Sequence, residues 1–264
     1  MAPRKTKVPV LEEFVSIQGE GRNLGLPYYF IRVAGCPLRC NFCDTERSWK
    51  ANADQMRDVD EVARKAFDTC EQHGIEWVSF TGGEPMLYTK QMMRMMDLWD
   101  GWSDGRYKVH IETSGRFHDL DMHSRCDIYS VDAKTPCTGE SIPEFFKGMD
   151  HMRSVDQAKC LIHNEADLDF AHKVNIALEG RCTMVLQPFN TAILTDSTKN
   201  MQPMMAAARI NELPATHNIR RGVGVGLRNL LQAFHRRCGE GEKWLDTIIT
   251  PQVHVIAYGN EAGT

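Results

Sequence analysis

The chain has 264 residues, with 31 Lys and Arg against 35 Asp and Glu and a net charge of -4. No global basic field of the kind that tracks a phosphate backbone surrounds it, so a nucleic-acid partner is not expected. Apolar residues at 42% and charged residues at 25% exclude a disordered chain and supply the core of one large α/β domain or two small ones. No window approaches the roughly 18 apolar residues of a membrane span, and Met1 to Lys7 has no apolar signal core behind its basic residues, so no membrane partner is expected and the protein reads as cytoplasmic.

In chain order, Val8 to Val15 reads as a short strand leading into Ser16-Ile17-Gln18-Gly19-Glu20-Gly21, and Tyr28 to Ala34 as a buried strand ending at Gly35. A cysteine cluster follows at once. Asp58 to His73 carries Val59, Val62, Ala63, Ala66, Phe67 and Cys70 at the spacing of one helix face, and Gly74 stops it. Strand Ile75 to Phe80, the Met-rich helix Gln91 to Trp99, strands Lys108 to Glu112 and Asp127 to Val131, and a helix from Ile142 to Met149 come next. A strand around Lys159 to Ile162, helix Glu165 to Leu178 and strand Thr183 to Leu186 continue the alternation. Further on, the residues suggest a helix Leu227 to Arg237 in a Gly-rich stretch and a last strand Val253 to Ala257. Alternating strands and helices predict parallel βα units, whose chemistry sits on loops at the C-terminal ends of the strands. One domain spanning residues 1–264 is expected, with an insertion or elaboration within 191–249 that carries no assignable motif.

Nine cysteines is an odd number in a chain too long to need disulfide staples. Three of them crowd into Cys36-Pro37-Leu38-Arg39-Cys40-Asn41-Phe42-Cys43, a pattern that composition alone would produce in about one chain per hundred of this length. Three thiolates on a short loop suit three irons of a cubane, each thiolate taking a different iron. The alternative is a zinc site completed by a distant Cys or His, since no fourth ligand follows nearby. The other cysteines, Cys70, Cys126, Cys137, Cys160, Cys182 and Cys238, share no close spacing and read as small buried hydrophobes or inert thiols. Met92, Met93, Met95 and Met96 read as core, and the lone histidines His110, His163 and His254 as hydrogen-bonded structural groups. Arg220, Arg221, Arg228, Arg236 and Arg237 read as a solvated helix face, or else as a docking face for an acidic flavodoxin or a phosphate.

The Cys-x3-Cys-x-aromatic-Cys loop with Phe42, followed by Thr81-Gly82-Gly83-Glu84-Pro85 at a strand end, resembles the radical S-adenosylmethionine superfamily. Within it the chain is most similar to the 7-carboxy-7-deazaguanine synthase family. Ser16 to Gly21, Phe30 to Cys36, Cys43-Asp44-Thr45, Pro251-Gln252-Val253-His254 and Tyr258-Gly259-Asn260 carry the likeness. The resemblance implies a partial TIM-like β/α barrel and a 4Fe-4S cluster on Cys36, Cys40 and Cys43. It implies Thr45 at a magnesium ion, and Ile17, Gln18, Gly19, Arg32, Thr81 and the Thr264 carboxylate at a pterin substrate. Adenosylmethionine would meet Phe42, Cys43, Asp44, Gly83 and Glu84, the segment Asp132-Ala133-Lys134, and Gln187-Pro188-Phe189-Asn190. Where many members of the family read Ser-Pro-Lys this chain has Asp132-Ala133-Lys134, so of the three only Lys134 carries over by identity.

The reaction so implied starts from 6-carboxy-5,6,7,8-tetrahydropterin: an adenosyl radical takes the hydrogen at carbon 6, the ring contracts, hydrogen returns, and ammonia leaves. A homodimer and a flavodoxin- or ferredoxin-type reductant belong to the same expectation. Two rival readings stand beside it. A glycyl-radical-enzyme activase would share the cysteines but not Gln18, Glu20 and Thr45, and a non-catalytic zinc or iron–sulfur module would bind metal without cleaving adenosylmethionine.

Overall fold

The computed structural model describes residues 6–41, 43–142, 144–188 and 215–253. Nine strands make one open sheet: β1 (Lys7–Ile17), β2 (Pro27–Val33), β3 (Met56–Asp58), β4 (Trp77–Gly82), β5 (Lys108–Thr113), β6 (Ile128–Asp132), β7 (Gln157–Ile162), β8 (Thr183–Pro188) and β9 (Thr247–Ile249), in the order β3-β1-β2-β4-β5-β6-β7-β8-β9. From β2 to β9 every neighbouring pair is parallel, as the alternation predicts. The opening is different: β1 runs antiparallel to both β2 and β3, and the loop between β1 and β2, with a 3-10 turn at Gly21–Asn23, returns the chain with no crossover helix. The sheet does not close.

Successive side chains on each strand point to opposite sides, and the two sides differ in chemistry. Val78 and Phe80 on β4, Val109 and Ile111 on β5, Tyr129 and Val131 on β6, and Ala158, Cys160 and Ile162 on β7 are buried in the core under the helices. Between them stand Ser79, Thr81, His110, Glu112, Ser130, Asp132, Gln157 and Lys159, aimed at the concave side. A fully apolar run would be expected of parallel strands covered on both faces. Here one face is a core and the other is a lining.

The helices are α1 (Val59–His73), α2 (Thr89–Ser103), α3 (Leu120–Arg125), α4 (Glu144–Gly148), α5 (Glu165–Leu178) and α6 (Ala215–Gly239). Helix α1 starts where Asp58 accepts from the Asp60 and Glu61 amides and stops at Gly74 in the left-handed region (φ 65). Its face of Val59, Val62, Ala63, Ala66 and Cys70 packs beside Met92, Met95, Met96 and Trp99 of α2, and the Trp99 indole donates to the Ala63 carbonyl at 2.9 Å. Each buried valine and methionine among them contributes about 1.5–3 kcal/mol of transfer free energy. The methionines are therefore core on α2, with Met93 only partly buried.

Three expectations need correction. Helix α3 lies where no helix was expected: its six residues are too few to show a period, though Asp119 caps it by accepting from the Met122 amide. Strand β9 pairs with β8 inside the stretch 191–249, where no strand was expected; the strand expected at Val253 to Ala257 lies, from residue 254 on, outside the described residues. Arg228 and Arg236 lie on a solvated helix face as expected, whereas Arg237 is largely covered by its acidic partners. Arg236 pairs with Glu165 at 2.5 Å, and Arg237 with Asp169 at 2.7 Å and Glu242 at 2.6 Å, so they tie α6 to α5 and to the turn before β9. Among the described residues no helix is long and apolar enough to cross a membrane.

Candidate active site

A cavity of about 250 Å³ opens over the C-terminal ends of the parallel strands, within the concave face. Cys36, Cys40 and Cys43 all line it, on the loop that follows β2. That loop is pinned from three sides by backbone bonds. The Cys36 amide donates to the Trp49 carbonyl (3.2 Å), Gly35 to Ser48 (2.7 Å), and Asn41 to Thr138 beyond β6 (2.8 Å).

The turn after β4 provides the fourth support. Its Gly83 amide donates to the Val33 carbonyl (2.9 Å) and its Glu84 amide to the Gly35 carbonyl (2.8 Å). A Cβ at Gly82, where φ is +117, would run into Val33 backbone, and one at Gly83 into the Gly35 carbonyl. The glycine pair is thus required for two loops to touch, as well as for lining the cavity. Glu84 corrects an expectation. Its carboxylate is fully buried and accepts from the Met86 amide (3.1 Å), Thr113 Oγ1 (2.6 Å), the Ser114 amide (3.0 Å) and Ser114 Oγ, and it is not among the lining residues. It fixes the ends of β4 and β5 and leaves no free acceptor for a ligand amine.

Burial pushes all three cluster-loop thiols above their ordinary values, and they raise one another further, so they lie within electrostatic reach of each other. Lys134, on the other wall, draws Cys36 and Cys40 back down. Among the described residues no three Cys, His, Asp or Glu side chains are gathered tightly enough for a single ion.

Around the cavity the polar strand ends form two sets. On one side, Arg32 donates through Nε to Glu12 (2.6 Å) and through a terminal nitrogen to Thr45 Oγ1 (3.5 Å), and Thr45 donates to Asp44 Oδ1 (2.9 Å). Beside them Glu112 accepts from Gln18 (3.0 Å) and Thr81 (3.0 Å). The Gln18 amide is fully engaged: its oxygen accepts from the Glu20 amide and its nitrogen also faces His110 Nδ1 at 3.4 Å. His110 is buried and neutral, its pKa lowered to about 4 by desolvation.

On the other side, Lys159 is buried and holds Glu20 at 2.8 Å and Asp132 at 3.3 Å, while Lys134 holds Asp132 at 3.1 Å. Burial alone would raise the Asp132 carboxyl, but the two ammonium groups outweigh it and hold it below the usual range. Burial likewise works against charge on Lys159, and the surrounding carboxylates carry its pKa well above the ordinary lysine value. Gln252, beyond β9, donates to Glu20 (2.8 Å), and the Val253 amide donates to the Gly19 carbonyl (3.0 Å). One carboxylate therefore joins the N-terminal turn, β7 and the C-terminal segment.

Of the residues singled out from the sequence, Ile17, Gln18, Gly19, Arg32, the three cysteines, Asp44, Thr45, Thr81, Gly83, Asp132, Ala133, Lys134 and Gln187 line this one cavity. Pro188 ends β8 and is buried outside the lining. Phe42, Phe189, Asn190 and Thr264 lie outside the described residues. Sequence reasoning missed Glu12, Glu112 and Lys159. Glu112 and Lys159 could have been found as charged residues interrupting apolar strands, Val109-His110-Ile111-Glu112 and Ala158-Lys159-Cys160.

Three thiols over the open end of a parallel sheet, with a glycine turn strapped to their loop, define the class as iron–sulfur enzymes of the radical S-adenosylmethionine type. A family described as a 4Fe-4S single cluster domain matches residues 17–132. Curated relatives named 7-carboxy-7-deazaguanine synthase are similar over longer stretches. The one from Methanospirillum hungatei is 32% identical over 71% of this chain and 75% of its own length; the one from Koribacter versatilis is 32% identical over 71% and 79%. The relative from Pyrobaculum aerophilum is 38% identical, over 52% of this chain and 60% of its own length. The fold is similar to that of QueE from Escherichia coli, with a TM-score of 0.53 at 22% identity, covering 69% of this chain and 84% of the other. The chain belongs to the 7-carboxy-7-deazaguanine synthase family.

Proposed function

We propose that the protein converts 6-carboxy-5,6,7,8-tetrahydropterin to 7-carboxy-7-deazaguanine with loss of ammonia, using a 4Fe-4S cluster and S-adenosylmethionine. The observation that carries the reading is that three cysteine thiols and two polar sets of strand ends line one cavity in a chain of the synthase family. Cys36, Cys40 and Cys43 would hold three irons and leave the fourth for the cofactor. Bound together, cluster and cofactor supply one-electron cleavage of a carbon–sulfur bond and abstraction of a hydrogen atom from carbon.

The remaining work belongs to the side chains. Glu12 takes Nε of Arg32 and Thr45 makes only a long 3.5 Å bond to one terminal nitrogen, so the other terminal nitrogen remains for a substrate carboxylate. Glu112, oriented by Gln18 and Thr81, keeps lone pairs for the N–H donors of a pterin ring. The Asp44 carboxylate and Thr45 hydroxyl are hard oxygen ligands of the kind magnesium takes, next to where that substrate carboxylate would lie. On the opposite wall Lys134, which shares Asp132 with Lys159, would offer its ammonium to the cofactor carboxylate, while Phe14, Phe30, Leu38 and Trp49 supply apolar lining that keeps water from the reacting carbon. A homodimer, a flavodoxin- or ferredoxin-type electron donor and a cytoplasmic location complete the reading.

Anaerobic cluster reconstitution followed by mass spectrometry of products tests it, with adenosylmethionine, magnesium, a strong reductant and 6-carboxytetrahydropterin supplied. The deazapurine is expected from the intact chain and not from Cys40→Ala. Formation of 5′-deoxyadenosine without the deazapurine would keep the radical class and remove the substrate.

A further inference from the structure

We propose that His110 is a positioning residue of the pterin site: its Nδ1 accepts a hydrogen bond from Gln18 and so fixes which way the Gln18 amide, and through it the Glu112 carboxylate, is turned toward the substrate. The inference rests on the substrate reading above and adds to it a residue that does not itself line the cavity.

The direction of each bond around Gln18 follows from which atoms can donate. A carboxylate only accepts, so the Gln18 nitrogen, and not its oxygen, must face Glu112 Oε1 at 3.0 Å. The Gln18 oxygen accepts from the Glu20 amide at 3.2 Å, which demands the same orientation. An amide nitrogen carries two hydrogens, and here it also faces His110 Nδ1 at 3.4 Å, so the second hydrogen is given to the ring. Nδ1 must therefore be bare, and the proton of the neutral imidazole sits on Nε2. Burial, which lowers the His110 pKa to about 4, keeps the ring neutral and Nδ1 an acceptor near pH 7.

A histidine that served only to cross-link the core would use both nitrogens. In His110, Nε2 is buried with no hydrogen-bond partner among the described residues, so the ring's hydrogen bond to the protein is the one to Gln18. The ring is also aimed. It meets the Tyr28 ring edge-on with centroids 5.8 Å apart, and Tyr28 stacks on Trp77 at 5.3 Å, so an aromatic row sets the plane in which Nδ1 accepts. Gln18 is itself buried, and with His110 in place its amide is paired on every side. Without that acceptor a buried N–H would be left unpaired and the amide would swing to find another. Glu112, held through one oxygen by Gln18 and through the other by Thr81, would then lose one of its two guides.

The test is steady-state kinetics of the reconstituted enzyme, with the KM for 6-carboxytetrahydropterin read separately from kcat, in the intact chain, His110→Leu and His110→Asn. Leu fills much of the space of the ring without an acceptor and is expected to raise the KM about tenfold while kcat and adenosylmethionine binding change little. Asn returns an oxygen near the position of Nδ1 and is expected to restore the KM, although both variants lose the ring's packing on Tyr28. In a Gln18→Leu background, His110→Leu is expected to add nothing further to the KM, because the histidine acts through Gln18. An unchanged KM in folded His110→Leu, or an equal rise in the Leu and Asn variants, overturns the proposal and leaves the enzymatic reading intact. Should His110→Leu fail to fold, 15N nuclear magnetic resonance of the His110 ring in the intact chain at neutral pH decides instead: a bare Nδ1 with the proton on Nε2 supports the proposal, and a proton on Nδ1 overturns it. An intact, cluster-loaded chain that makes no deazapurine overturns both readings.

Discussion

The two faces of the central strands are made of alternate residues of the same short segments, yet they answer to different physics. On β4 and β5, Val78, Phe80, Val109 and Ile111 face the helices and are held by close packing, with Phe80 stacked on Trp99 at 5.8 Å. Ser79, Thr81, His110 and Glu112 point to the other side, where Thr81 and Glu112 line the cavity and hydrogen-bond to each other, while Ser79 Oγ and His110 Nε2 are buried with no hydrogen-bond partner among the described residues. The core face gains stability from close packing and the removal of apolar surface from water. The cavity face holds polar groups out of bulk water, a cost it carries so that the groups are already oriented when a ligand arrives.

Substitutions on the two faces should therefore separate cleanly. The largest effect is expected from Cys40→Ala, which should remove the cluster and all product formation while apo-protein unfolding changes little; retained iron at the level of the intact chain would contradict the ligand set. Next comes Phe80→Ala on the core face. It should destabilise the fold by about 3–5 kcal/mol in urea denaturation, with the KM for pterin of the remaining folded enzyme unchanged.

A smaller effect is expected from pH. His110 has a folded pKa of about 4 against 6.5 for the free side chain, so between those values the unfolded chain takes up a proton that the folded one refuses. Its contribution is fully present above pH 6.5 and is lost as pH falls toward 4, by about 3 kcal/mol in all. Denaturation of the apo-protein at several pH values should show this slope, and His110→Asn should remove that share of it. The smallest shift is expected from Glu112→Gln on the cavity face: KM for the pterin should rise about tenfold or more, with a change in melting temperature of no more than a few degrees. A loss of stability matching the loss of binding would mean that the cavity face is structural after all.

Much of this architecture was legible in the sequence because period and punctuation are local signals. The face of α1 and its stop at Gly74 could be read directly, as could β2 ending at the cysteine loop. What could not be read depends on contacts made across the sheet. Glu112 is unremarkable until Gln18, from the loop after β1, and Thr81, from β4, converge on its carboxylate. Glu84 looked like a ligand group, and only the placement of Thr113 and Ser114 shows it to be a strut. Arg237 looked solvated like its neighbour Arg236 because its partners Asp169 and Glu242 lie outside its own helix. The short helix α3 and the three-residue β9 lack the length for any pattern to register.

The contact between Gly35 and Gly83 can also be viewed as a mechanical joint. The cysteine loop and the glycine turn are joined by two main-chain bonds with no side chain between them, so they must travel as a single body when the protein breathes. Rotamer changes around the cavity can alter its polarity and shape without altering the spacing of those two loops. A reaction whose electron and hydrogen transfers depend steeply on separation would thus have its critical length set by the backbone, the stiffest material a protein has.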